Sequence, residues 1–128
     1  MTNVVVLRGH ISRAPEEREL PSGDHLTTLD VTVPAGAAPG ASTRAESVPV
    51  AWVGAPSWFG RLEPGSEVVV LGRVRRRFFR TGAGLQSRSE VMVDHAAPGR
   101  QPSRCEGVLR RAFDALEDDP AWDPVAPR

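Results

Sequence analysis

Nine consecutive residues, "GRVRRRFFR" at 72–80, carry five guanidinium groups and two phenyl rings in a chain whose formal net charge is zero. Guanidinium groups fork onto phosphate or carboxylate oxygens and stack on flat rings. With phenyl faces beside them, this is chemistry for holding an anionic partner, not for turnover. Extended backbone sends successive side chains to opposite faces. Counting by twos from Val69 puts Leu71, Arg73, Arg75, Arg77 and Phe79 on one face. Val68, Val70, Gly72, Val74, Arg76 and Phe78 fall on the other, which reads as a core face. The first face ends in three arginines and a ring that need a partner, and Arg88 is placed to join them from the neighbouring strand.

Other chemistry is thin. His10, His25 and His95 are scattered, and with Cys105 they show no metal-ligand spacing. No carboxylates form a recognisable acid/base pair. "TGAG" (81–84) is a hairpin turn between strands, not a strand-to-helix phosphate cradle. The expectation is a binding protein, not an enzyme, with no cofactor and no metal. Ion pairing of the arginines with Glu90 and Asp30 is the competing, purely structural reading of the basic face.

The elements that must position these residues are short and mostly extended. "NVVVLRGHI" (3–11) reads as a first strand, "EEREL" (16–20) as a short second one, and "PSGD" (21–24) as a turn. "HLTTLDVTV" (25–33) and "ESVPVAWV" (46–53) alternate, and Pro49 marks the latter as an edge or bulged strand. Between them, "PAGAAPGASTRA" (34–45) is a loop of small residues and the expected mobile segment. "GAPSWFGRLEPGS" (54–66) leaves room for a helical turn, before "EVVVLGRVRRRFFR" (67–80) and "SRSEVMVD" (87–94) close a hairpin. Trp52 and Trp58 fall on the core side. Five main strands, with a helix between the third and fourth, predict an all-β fold in the order of a five-stranded OB-fold Greek-key barrel. An SH3-like barrel or a small sandwich is the alternative.

The run "NVVVLRGHISRAPEERELPSG" resembles the opening of the bacterial single-stranded DNA-binding proteins, and "PGSEVVVLGRVRRRFF" followed by "SRSEVMVD" resembles that family's last two strands. The likeness spans roughly residues 3 to 95, as in a short, divergent member of actinobacterial type. It implies an OB-fold domain over 1–95, a linker over 96–102, and a C-terminal amphipathic helix and acidic tail over 103–128. It also implies sequence-tolerant binding of single-stranded DNA, or alternatively RNA, in DNA replication, repair and recombination. The resemblance puts Phe79 at a stacking position and Arg75 and Arg77 at backbone-contacting ones, and the one-faced arrangement adds Arg73 and Arg88 as phosphate contacts. Where the family carries further stacking aromatics this chain has Ser47 and Val53. Its acidic terminal tip is also absent, the chain ending "DPVAPR". A homodimer or homotetramer is implied, with first-strand pairing near Arg8 and His10. The alternative function is an OB-fold protein-interaction module of a DNA-processing assembly, with weak or no nucleic-acid binding.

The last stretch supports a partner of another kind. "SRCEGVLRRAFDALEDD" (103–119) places Cys105, Val108, Leu109, Ala112, Phe113 and Leu116 on one helical stripe, with Ser103 and Glu106 at capping-box spacing and Glu106 and Arg110 at i,i+4. This helix either folds back onto the barrel or a second protomer, or is a docking element for a protein partner, with "EDDPAWDP" (117–124) as an acidic docking tail. From Cys105 onward acidic residues outnumber arginines, which leaves the preceding part net basic. A single cysteine excludes an intrachain disulfide framework. The first strand is too short, and too soon broken by Arg8, for a signal or membrane segment. The expected location is cytoplasmic and nucleoid-associated.

Overall fold

The computed structural model describes residues 2–34 and 45–118. Residues 35–44 of the segment expected to be mobile, and the "EDDPAWDP" tail beyond Asp118 with Trp122, lie outside the described residues. Runs rich in Val, Ile and Thr form strands, because branched side chains pack well on a pleated surface. In chain order the elements are β1 (Val5–Ile11), β2 (Glu16–Glu19), β3 (His25–Pro34), β4 (Ala45–Val53), α1 (Ser57–Gly60), β5 (Glu67–Thr81), β6 (Gly84–Pro98) and α2 (Pro102–Glu117).

The strands form one six-stranded sheet in the order β1-β5-β6-β4-β3-β2. All pairings are antiparallel except β4 with β6, which meet in parallel at Val50↔Val91 and Ala51↔Met92. The end of β1 also touches β3, at His10↔Thr32 and Ile11↔Val31. These two-pair seams are not continuous ladders, and the sheet does not close into a barrel. The expected five-stranded OB-fold Greek-key barrel is therefore corrected to a mixed, six-stranded sheet with two helices. Element order was the basis of that expectation, and order alone does not determine whether edge strands zip together. Pro49 does not make β4 an edge. β4 runs between β3 and β6, with the β6 contact beginning one residue later at Val50.

Two apolar clusters hold the sheet. Even-numbered residues of β5, Val68 and Val70, pack with Ile11, Val31, Val50 and Phe59 in the main one. Odd-numbered Val69 and Leu71 pack with Ala97, Val108 and Ala112 under α2. Phe59 is fully buried from α1. Trp52 and Trp58 meet it edge-on at 4.9 and 5.6 Å between ring centroids, an arrangement that matches ring quadrupoles. Arg104 of α2 lies 5.4 Å over the Trp58 ring, tying the start of that helix to α1.

α2 does not begin with the expected capping box. Gln101 is the N-cap and Pro102 opens the helix, where a missing N–H costs no bond. Glu106 and Arg110 form no ion pair with each other. β6 runs on to Pro98, with Ala97 buried, so these residues belong to the sheet and not to a linker.

Phe59→Ala is expected to cost about 3–5 kcal/mol of folding free energy, as for a fully buried ring. Gly72→Ala is expected to cost about 1–3 kcal/mol, because a Cβ there would fall onto the Met92 carbonyl oxygen and crowd the Val91 side chain. Urea unfolding of the two variants measures both.

Candidate binding surface

β5 and β6 leave the body of the sheet as a two-stranded arm. Val68 to Gly72 are buried, and every residue from Arg73 to Ser89 is exposed. The transition lies at a bulge where Leu71 pairs with His95 and Gly72 with Val93, leaving Asp94 as an extra residue on β6. Such a bulge bends the strand and increases its twist. The ladder then continues in register to Thr81↔Gly84. Gly84, at φ 109°, supplies the backbone freedom that the turn needs. The base of the arm is pinned by Asn3. Its side-chain amide donates to the Val74 carbonyl and accepts from the Val74 N–H, both at 2.9 Å.

The expected alternation is present. Cross-strand register places Arg73 opposite Met92, Arg75 opposite Glu90, Arg77 opposite Arg88 and Phe79 opposite Gln86, so the five candidate residues share one face of the arm. They are not equivalent. The Arg73 guanidinium donates to Asp94 at 3.3 and 3.4 Å. Arg75 donates to Glu90 Oε1 at 2.8 Å, where that carboxylate is buried. Asp30 is engaged by Arg13 at 2.8 Å. Arg77 and Arg88 lie beside one another with no ion pair or hydrogen bond to either among the described residues. They line, with Arg13, Glu16, Asp30 and Glu90, a polar groove of about 170 Å³.

The other face differs from expectation. Phe78 is no core residue but 63% exposed, because the arm has already left the sheet body where the alternation would bury it. Leu85, diagonal to Phe78 across the ladder, is 66% exposed, and Phe79 on the opposite face is 37% exposed. The arm thus shows guanidinium groups and apolar side chains on both faces. Sequence reasoning passed over Leu85, whose signal was an apolar residue beside a Gly-rich turn. It also passed over Asn3, whose clamp depends on a partner 71 residues away.

No protein-family model matches the chain, and no curated protein matches it. The resemblance to single-stranded DNA-binding proteins is therefore not upheld. Its motifs are a β-branched strand, a Pro-Ser-Gly turn and a Gly-containing hairpin, which any strand-turn-strand protein shares. The single-strand binding function, together with its OB-fold, DNA-binding and replication, repair and recombination setting, falls with it. It required a barrel that is not formed, and two of its phosphate-contacting arginines are occupied by Asp94 and Glu90. Among the described residues, no helix is long and apolar enough to cross a membrane.

Arg75→Ala is expected to cost about 1–3 kcal/mol of stability, since it strands the buried Glu90 carboxylate without its charged donor. Arg77→Ala, with no bond to lose, is expected to stay within about 0.5 kcal/mol. Thermal melts of the two variants separate these outcomes.

Proposed function

We propose that this chain is a non-catalytic binding protein whose working element is the β5–β6 arm, and that its partner is an acidic protein surface with apolar side chains. The observation that carries this reading is the Arg77–Arg88 pair. Like charges directly opposite on a ladder are destabilising, and neither guanidinium forms an ion pair among the described residues, although Glu16, Asp30 and Glu90 line the same groove. An incoming acidic group gains from both guanidinium groups at once. Arginine and aromatic residues are also the side chains enriched where protein partners bind most strongly.

A protein fits the arm's apolar residues better than a nucleic acid does. Leu85 has no π-face to stack on a base, and it stands with Phe78 as an exposed patch flanked by Arg76 and Arg80. Lower on the same strand, the groups already paired with Arg73 and Arg75 are carboxylates. A cytoplasmic setting is part of the proposal, supported by the single thiol Cys105, which donates to the Pro98 carbonyl at 3.3 Å.

Fluorescence anisotropy with a labelled helical peptide of Glu, Leu and Phe tests the reading, beside a labelled oligothymidylate of equal charge. The peptide is expected to saturate. Arg77→Ser with Arg88→Ser, or Phe78→Ala, is expected to weaken it by about 1–2 kcal/mol each. Tighter binding of the oligothymidylate than of the peptide, or unchanged binding by the variants, overturns the proposal.

A further inference from the structure

We propose that the partner of the arm is a second copy of this chain, which offers the outer flank of its α2. This rests on the arm being a protein-binding element and adds the identity of what it binds.

The apolar stripe of α2 is wider than the sheet beneath it. Val108 and Ala112 are buried on Val69, Leu71 and Ala97, and Cys105 packs beside them. Leu109 and Phe113 are left 46% and 67% exposed. They are four residues apart and so adjacent on the helix. Glu106 stands one turn before Leu109, and Glu117 one turn after Phe113, giving an acid–Leu–Phe–acid stripe. Neither glutamate has an ion pair or hydrogen bond among the described residues. Arg110 borders the stripe only on its solvent side.

The arm carries the complement. Arg76, Phe78 and Arg80 follow one another on one face of β5, with Leu85 directly opposite Arg80. Phe78 thus stands between two cations, with Leu85 level with Arg80 across the ladder, facing two apolar side chains between two anions. Arg76 and Arg80 are ~13 Å apart along a strand. Glu106 and Glu117 are ~17 Å apart along a helix, a difference within the reach of long guanidinium side chains.

The contact does not form within one chain. α2 lies over Val69 and Leu71, and Phe78 is seven residues further along β5, ~23 Å beyond Leu71. Phe78 and Phe113 are both exposed in the same molecule. Exchange of arms between two copies makes the contact twice and closes as a twofold dimer.

Sedimentation velocity of the full chain over a wide concentration range tests this. The wild type is expected to dimerise. Arg76→Glu with Arg80→Glu, and separately Glu106→Arg with Glu117→Arg, are each expected to weaken the dimer ~10-fold or more. An equimolar mixture of the two variants is expected to restore it as a heterodimer. All four positions are exposed, so unchanged thermal melts verify folding. A wild type that stays monomeric, an α2 variant that dimerises normally, or a mixture that fails to reassociate overturns self-pairing. The acidic peptide tells the two readings apart. If the arm variant loses the peptide while the α2 variant dimerises normally, the arm still binds protein and only the second copy is wrong. If Arg77→Ser with Arg88→Ser, on the opposite face of the arm, keeps the peptide, the arm itself is not the binding element.

Discussion

The ladder between β5 and β6 is the interaction on which the rest of the molecule depends. It runs unbroken in direction from Val68↔Pro98 to Thr81↔Gly84, and it does two different jobs along its length. In its lower part β5 is sandwiched, with Val68 and Val70 in the main core and Val69 and Leu71 beneath α2. In its upper part neither face is covered. The bulge at Leu71/Gly72 separates the two regimes. It also delivers the extra residue, Asp94, that holds Arg73. Gly72 is required at this point because the Met92 carbonyl approaches where any Cβ would sit.

An arm exposed on both faces has no core of its own, and an isolated two-stranded hairpin is marginal in water. Its order is borrowed from below. The two bonds between Asn3 and Val74 and the Arg75–Glu90 pair fix the base of the exposed part. The Arg75–Glu90 pair has one partner buried and the other half in water, so it is worth more than a surface ion pair. Phe78 and Leu85 beyond it contribute little to folding, since they remove little apolar area from water.

The sequence made the period of β5 legible, because Arg73, Arg75 and Arg77 alternate with Gly72, Val74 and Arg76 along one extended run. It did not show where the sheet body ends. Phe78 continues the even-numbered series and looks buried by period, yet burial depends on neighbours that β4 no longer supplies beyond Val50↔Val91. The order of strands and the place of α1 were readable for the same local reasons. Closure was not, since it turns on pairs such as Ile11↔Val31 that unite distant segments. The apolar stripe of α2 was visible as a whole. Which part of it meets the sheet depends on the angle at which the chain leaves Pro98, and nothing local sets that angle. The candidate arginines share one face, and Glu90, weighed from the sequence as an ion-pair partner, meets Arg75, but the partner of Arg73 was invisible. Asp94 reaches Arg73 only because a bulge shifts the register, and no residue type announces a bulge there.

The charges along the arm fall into a gradient that follows from this geometry. Arg73 and Arg75 lie near enough to the sheet body to be met by carboxylates from β6, and their charge is largely spent inside the chain. Past Glu90 the β6 strand offers Arg88, two serines and Gln86, so Arg77 and the residues above it meet no anion across the ladder. Any anionic partner therefore gains little by displacing Asp94 or Glu90 and most by seating itself on the distal half. There the guanidinium groups are unpaired, and Phe78, Phe79 and Leu85 lose water on contact. The proposed contact thus falls on the part of the arm that stabilises the fold least, so that part is free to vary its sequence without unfolding the sheet that holds it out.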